Sequence, residues 1–133
     1  GFNNVDQSGR RYIVISAGPE YNSLVSRPNR GSDVGLQEGA REFQIPKGKS
    51  EFSYYKDVAK ADTNYNDKLD YDLFPAKEGQ RSLTIPDDGY NSNSFVSGLL
   101  KATGVAPPKI DGVSLPGYDK PVPSNCFKAG NSC

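Results

Sequence analysis

The run Tyr90-Asn91-Ser92-Asn93-Ser94-Phe95 has the residue types best suited to chemistry in this chain. It stands immediately before an apolar pattern of helical spacing, at Phe95, Val96, Leu99 and Leu100. A helix start there presents backbone N–H groups and the positive end of the macrodipole, which stabilise an anion or a developing oxyanion. Ser92 is placed as a nucleophile, with Asn93 and Ser94 beside it. The structural alternative is that Asn and Ser crowd helix starts because they cap them. A serine nucleophile also needs a base, and the chain has no histidine to supply one. No lysine is marked by its sequence surroundings as buried enough to act as a base. The pairs Asp87-Asp88 and Asp70 with Asp72 could do acid–base work, but adjacent acids in a turn are commonly just solvated.

A second pattern runs from Asp62 to Asp70, with oxygen side chains at Asp62, Asn64, Asn66 and Asp70 as in a calcium loop. The position that wants glycine is Asp67 and the closing bidentate glutamate is replaced by Leu73, so a solvated helix face is the favoured reading. We expect no metal and no cofactor.

These residues must be positioned by few elements. Arg11 to Ala17 is β-branched and aromatic, follows a turn at Asp6-Gln7-Ser8-Gly9 and meets Gly18-Pro19, which predicts a strand at the centre of a sheet. Glu20 to Gly39 reads as a long loop around at most one short strand. Arg41 to Pro46 alternates as a second strand near an edge, and Ser82 to Ile85 as a third, with a turn at Asp87-Asp88-Gly89. Glu51 to Ala61 has helical spacing with Ser50 as N-cap, and a further helical stretch runs from Tyr65 to Phe74. The main helix is Ser92 to Thr103, capped at Asn91, Ser92 or Asn93 and stopped by Gly104. Beyond it, residues 106 to 123 contain five prolines and read as an extended strap. The expected fold is α+β: a small, mostly antiparallel sheet packed on one main helix, a shorter helix, and long ordered loops.

The 133 residues fit a single domain, which we read as a piece of a longer protein. Fourteen Gly and ten Pro make it turn-rich, while eight Tyr and six Phe supply large units of burial. Sixteen basic and sixteen acidic residues balance to zero net charge without a basic tract, which argues against nucleic-acid binding. No apolar run approaches the roughly 20 residues that span a bilayer. Cys126 and Cys133 either close a short terminal loop, pointing to an oxidising destination, or remain free thiols.

In order along the chain, Tyr12-Ile13-Val14-Ile15-Ser16-Ala17-Gly18-Pro19, Asn91-Ser92-Asn93-Ser94-Phe95 and Pro116-Gly117-Tyr118 resemble the C-terminal domains of bacterial Rhs-type and other polymorphic-toxin proteins. The resemblance spans residues 11 to 123. The central run is also similar to the Asn-Cys-Asn-Ser-Phe nucleophile segment of permuted papain-like enzymes, with Ser92 where that family has cysteine. The resemblance implies a toxin-like effector, secreted or delivered by a secretion system. If active, it implies hydrolysis or acyl transfer on an amide or ester, with Ser92 as nucleophile and the amides of Asn93 and Ser94 as oxyanion donors. The missing base would then come from an upstream segment of the same protein. If inactive, the same polar region would bind a peptide, a glycan, or an immunity or parent-protein partner, through Tyr90, Asn91 and Tyr118 with Phe127 beside them.

Overall fold

The computed structural model describes residues 4–29, 42–75 and 89–133. It is an α+β arrangement of two small antiparallel sheets and two helices. Strands β1 (Asn4–Val5) and β2 (Arg11–Tyr12) pair across the expected turn. There the Asp6 carboxylate accepts from the Ser8 and Arg10 amides at 2.9 Å each and from Ser8 Oγ at 2.7 Å. The Ser8 hydroxyl and then the Arg10 amide hold the Asp6 carboxyl below its ordinary range.

Strands β3 (Ile15–Glu20) and β4 (Ser23–Pro28) form a hairpin. The expected single strand is thus divided: it breaks at Ile13-Val14 and continues through Gly18-Pro19, which does not end it. Each described sheet has only two strands, so the segment is not central, and Pro19 meets the edge-strand condition. The one short strand allowed for within the Glu20–Gly39 segment is β4. The hairpin turns at Tyr21 (φ 50°) and Asn22 (φ 69°), a pair of left-handed residues that matches strand twist. Asn29 fastens the sheets together: its Oδ1 accepts from Asn4 Nδ2 at 2.8 Å and from the Val14 amide at 3.0 Å.

Residues 42–46 form no strand, contrary to the expectation from their alternation. The expected strand at 82–85 and most of the turn at 87–89 lie outside the described residues. Helix α1 (Glu51–Asn64) starts where the spacing predicts, with Ser50 Oγ accepting from the Ser53 amide at 3.0 Å. It is the longer helix, at 14 residues against 11 for α2 (Ser92–Ala102), so the expected order of lengths is reversed. No helix continues from Tyr65 to Phe74. Tyr65 caps α1 in an extended conformation and Asp67 takes φ 61°, which diverts the chain toward isolated bridges from Asp70 to Ser23 and from Tyr71 to Tyr90.

The core joins both helices to the hairpin. Leu24, Phe95, Val122 and Cys126 are its most deeply buried members. A three-ring cluster of Tyr65, Phe95 and Phe127, with centroids 5.2–5.7 Å apart, lies at its centre. Tyr65 also donates its hydroxyl to the Leu24 carbonyl at 2.6 Å, and burial pushes its pKa up. Helix α2 packs against β3, α1 and the 3₁₀ turn Ser124–Phe127. The strap lies so close to α2 that a Cβ on Gly98 would come 2.5 Å from the Val122 carbonyl oxygen.

Candidate functional site

Helix α2 begins with a full capping box. Asn91 Oδ1 accepts from the amides of Asn93 at 3.0 Å and Ser94 at 3.1 Å, while the Asn91 amide donates back to Ser94 Oγ at 3.3 Å. The two amides that would serve as oxyanion donors are therefore engaged by the cap. Asn91 also reaches outward: its Nδ2 donates to the carbonyls of Leu73 at 3.1 Å and Pro116 at 2.7 Å. Asn93 Nδ2 donates to the same Pro116 carbonyl at 2.9 Å. Ser94 is wholly buried and its hydroxyl has Gly117 O at 3.0 Å as acceptor.

The strap is shaped to receive these groups. Gly117 adopts φ +88°, and a Cβ there would overlap Asn91 Oδ1 and lie 2.8 Å from Ser94 Oγ. From the helix side, Val122 N donates to Ser94 O at 3.0 Å. Asn91, Asn93 and Ser94 thus join the helix start to the strap. Ser92, in the middle of the run, is half-buried, and its hydroxyl makes no hydrogen bond among the described residues.

The expected binding residues divide between two environments. Tyr90 is half-buried, bridges to Tyr71, and carries the Lys120 ammonium over its ring at 4.4 Å, while Lys120 donates to Gly89 O at 2.8 Å. Tyr118 donates its hydroxyl to Pro108 O at 2.5 Å, which closes the strap on itself, and burial raises its pKa. Phe127 is only 4% exposed, and its ring belongs to the core cluster instead of an exposed groove.

The calcium-like run takes a different form. Asp62 and Asn64 lie on the last turn of α1, and Asp62 accepts from Ser26 Oγ. Asp67 Oδ1 accepts from the Ser26 amide at 2.9 Å, and its other oxygen lies 3.6 Å from Arg27. Both carboxylates are turned to β4, and no group of three His, Cys, Asp or Glu side chains placed to hold a metal ion occurs among the described residues. Burial is the largest cause raising the Asp62 pKa, and the Asp67 charge adds to it against the Ser26 hydrogen bond.

A separate apolar cavity of about 430 Å³ opens where Ile13 and Ile15, Phe43 and Ile45, α1 and α2 meet. Tyr54, Tyr55 and Val58 line it from α1, and Val96, Leu99 and Leu100 from α2. Its lining is mainly apolar, with Phe43 40% and Val96 41% exposed and Glu51 beside them, and Phe52, 67% exposed, lies tilted against the lining residue Tyr55 at 6.3 Å. From the sequence, Val96, Leu99 and Leu100 belong to the apolar stripe of the main helix, and Ile13, Ile15, Phe43 and Ile45 to expected strands. Val96, which its spacing puts in the apolar stripe of α2, is instead 41% exposed at this cavity.

No helix among the described residues is long and apolar enough to cross a membrane. No protein-family model, curated protein or solved structure matches the chain.

Proposed function

We propose that this chain is a non-catalytic interaction module of a toxin-like bacterial effector. In this reading it binds a peptide or partner protein, such as an immunity protein or another part of its parent protein, by taking an apolar side chain into the cavity between α1 and α2. The carrying observation is the state of the α2 start: the Asn93 and Ser94 amides, the Asn91 amide group and the Ser94 hydroxyl all bond within the chain. An oxyanion would have to displace Asn91 Oδ1, and the chain offers Ser92 no histidine base. The exposed aromatic rim supports binding instead, because a mainly apolar cavity of this volume fits an anchoring side chain.

Two assays separate this reading from a papain-like hydrolase using Ser92. With p-nitrophenyl acetate, the wild type and Ser92→Ala should hydrolyse at the same background rate; a Ser92-dependent rate would overturn the non-catalytic reading. With 8-anilinonaphthalene-1-sulfonate, the native chain should show saturable fluorescence enhancement that Val96→Glu weakens several-fold. Equal enhancement in a folded Val96→Glu variant would remove the cavity from the binding proposal. Expression in bacterial cytoplasm or periplasm extends the test, since any growth arrest should survive Ser92→Ala.

A further inference from the structure

We propose that the Cys126–Cys133 disulfide is a redox-sensitive latch on the turn that follows α1. The bridge closes a terminal loop whose Cα atoms are 5.2 Å apart. Asn131, inside that loop, donates through Nδ2 to Asn64 O at 2.8 Å, at the last residue of α1. Its Oδ1 accepts from the Cys133 amide at 3.0 Å, and Asn66 Nδ2 donates to the Cys133 carbonyl at 2.6 Å. In return, Asn64 Nδ2 donates to Phe127 O at 3.2 Å. The loop and the turn are therefore fastened at three places by polar groups on the flank of the core, and the Cys133–Asn131 bond braces the loop itself.

The turn in question holds the hairpin. Its Asp67 takes the Ser26 amide at 2.9 Å, and Leu69 O accepts from the Leu24 amide at 2.8 Å. The last turn of α1 adds Asp62 on Ser26 Oγ. A path leads from the disulfide through Asn131 and Asn66, and on through the adjoining Asp67, to the backbone of β4.

The two cysteines differ in exposure. Cys126 is fully buried, whereas Cys133 is partly exposed. A thiolate of an external dithiol attacks Cys133 Sγ, the S–S bond breaks, and Cys126 leaves with the bonding pair and takes a proton. The second thiolate of the reductant then displaces Cys133 from the mixed disulfide. Two protein thiols form as the dithiol becomes a disulfide. Opening restores chain entropy to residues 128–133, and their remaining hydrogen bonds compete with water. The Asn64–Asp70 turn then loses its outer support, while Phe95, Leu99 and Val122 keep their apolar contacts.

Hydrogen exchange on the full chain, before and after dithiothreitol, tests the latch. Amides in 64–70 and 128–133 should exchange about tenfold faster after reduction, those of Phe95–Leu99 should not change, and reoxidation should restore protection. Cys133→Ser should match the reduced profile and ignore dithiothreitol. Unchanged exchange at 64–70 after complete reduction would overturn the proposal, as would equal acceleration through Phe95–Leu99, because the bridge would then act on the whole fold. Should Cys133→Ser fail to fold, the reduced wild type still decides between these outcomes.

Discussion

Helix α1 is capped by Ser50 and α2 by Asn91, whose side-chain oxygens accept one and two first-turn amides respectively. Ser50 is exposed and its hydroxyl serves Ser53 alone on the described surface. Asn91 is 6% exposed; its oxygen caps the helix while its NH₂ group binds two distant carbonyls. The difference follows from side-chain chemistry. A serine hydroxyl has one proton, whereas an asparagine amide separates an acceptor from two donors and can finish a helix and fasten a strap together. A polar run that looks catalytic can therefore be consumed by tertiary structure.

The largest effect should come from the strap side of that joint. Gly117→Ala adds both a side chain at φ +88° and an overlap with Asn91 Oδ1, and should cost about 3 kcal/mol in urea unfolding. A loss below about 1 kcal/mol would mean that the strap is not held in this register. Asn91→Ala should come next, at about 2 kcal/mol, because it removes the cap and leaves the Pro116 and Leu73 carbonyls without these donors. Asn91→Asp sharpens the comparison: it retains a cap acceptor but turns an oxygen toward both carbonyls, so it should recover less than half of the loss. Full recovery would show that only capping matters.

At the exposed start, Ser50→Ala should cost about 0.5–1 kcal/mol, the range of a cap without a second duty. If Ser50→Ala equals Asn91→Ala, the distinction between the two starts fails.

The sequence made one half of this joint legible. Asn91 before the Phe95-Val96-Leu99-Leu100 pattern marks a capped helix, and Gly104 at φ +87° ends it, with the Val105 amide bonded to Leu100 O at 2.9 Å. The prolines also marked the strap. Its attachment was not legible, since Pro116 O meets Asn91 and Asn93 across 25 and 23 residues and a backbone carbonyl leaves no residue-type signal. The hairpin was missed for a related reason. Its reversal uses Tyr21-Asn22 instead of a glycine pair, and Tyr21 is fully exposed, so neither turn chemistry nor burial announced it. The helix expected over 65–74 is lost from its first residue, where Tyr65 is extended, and is barred again at Asp67, whose left-handed backbone is accompanied by long-range bonds to Ser26 and Arg27.

The smallest effect extends the comparison to the opposite pole of a helix. Helix α2 has the buried, neutral Asn91 at its positive end, whereas α1 puts the half-buried carboxylate of Asp62 in its last turn, where the macrodipole opposes negative charge. Burial already raises the Asp62 pKa above its ordinary value of 3.8, so the folded state holds this proton more tightly than the unfolded chain. Its contribution is complete below 3.8 and is lost as pH rises through the elevated folded value. Asp62→Asn keeps an oxygen for Ser26 Oγ without the charge, and should raise the melting temperature slightly at pH 7 with the gain vanishing near pH 3. A gain that is equal at both pH values would assign the effect to packing, and a loss at pH 7 would show that Ser26 and its surroundings favour the ionised carboxylate.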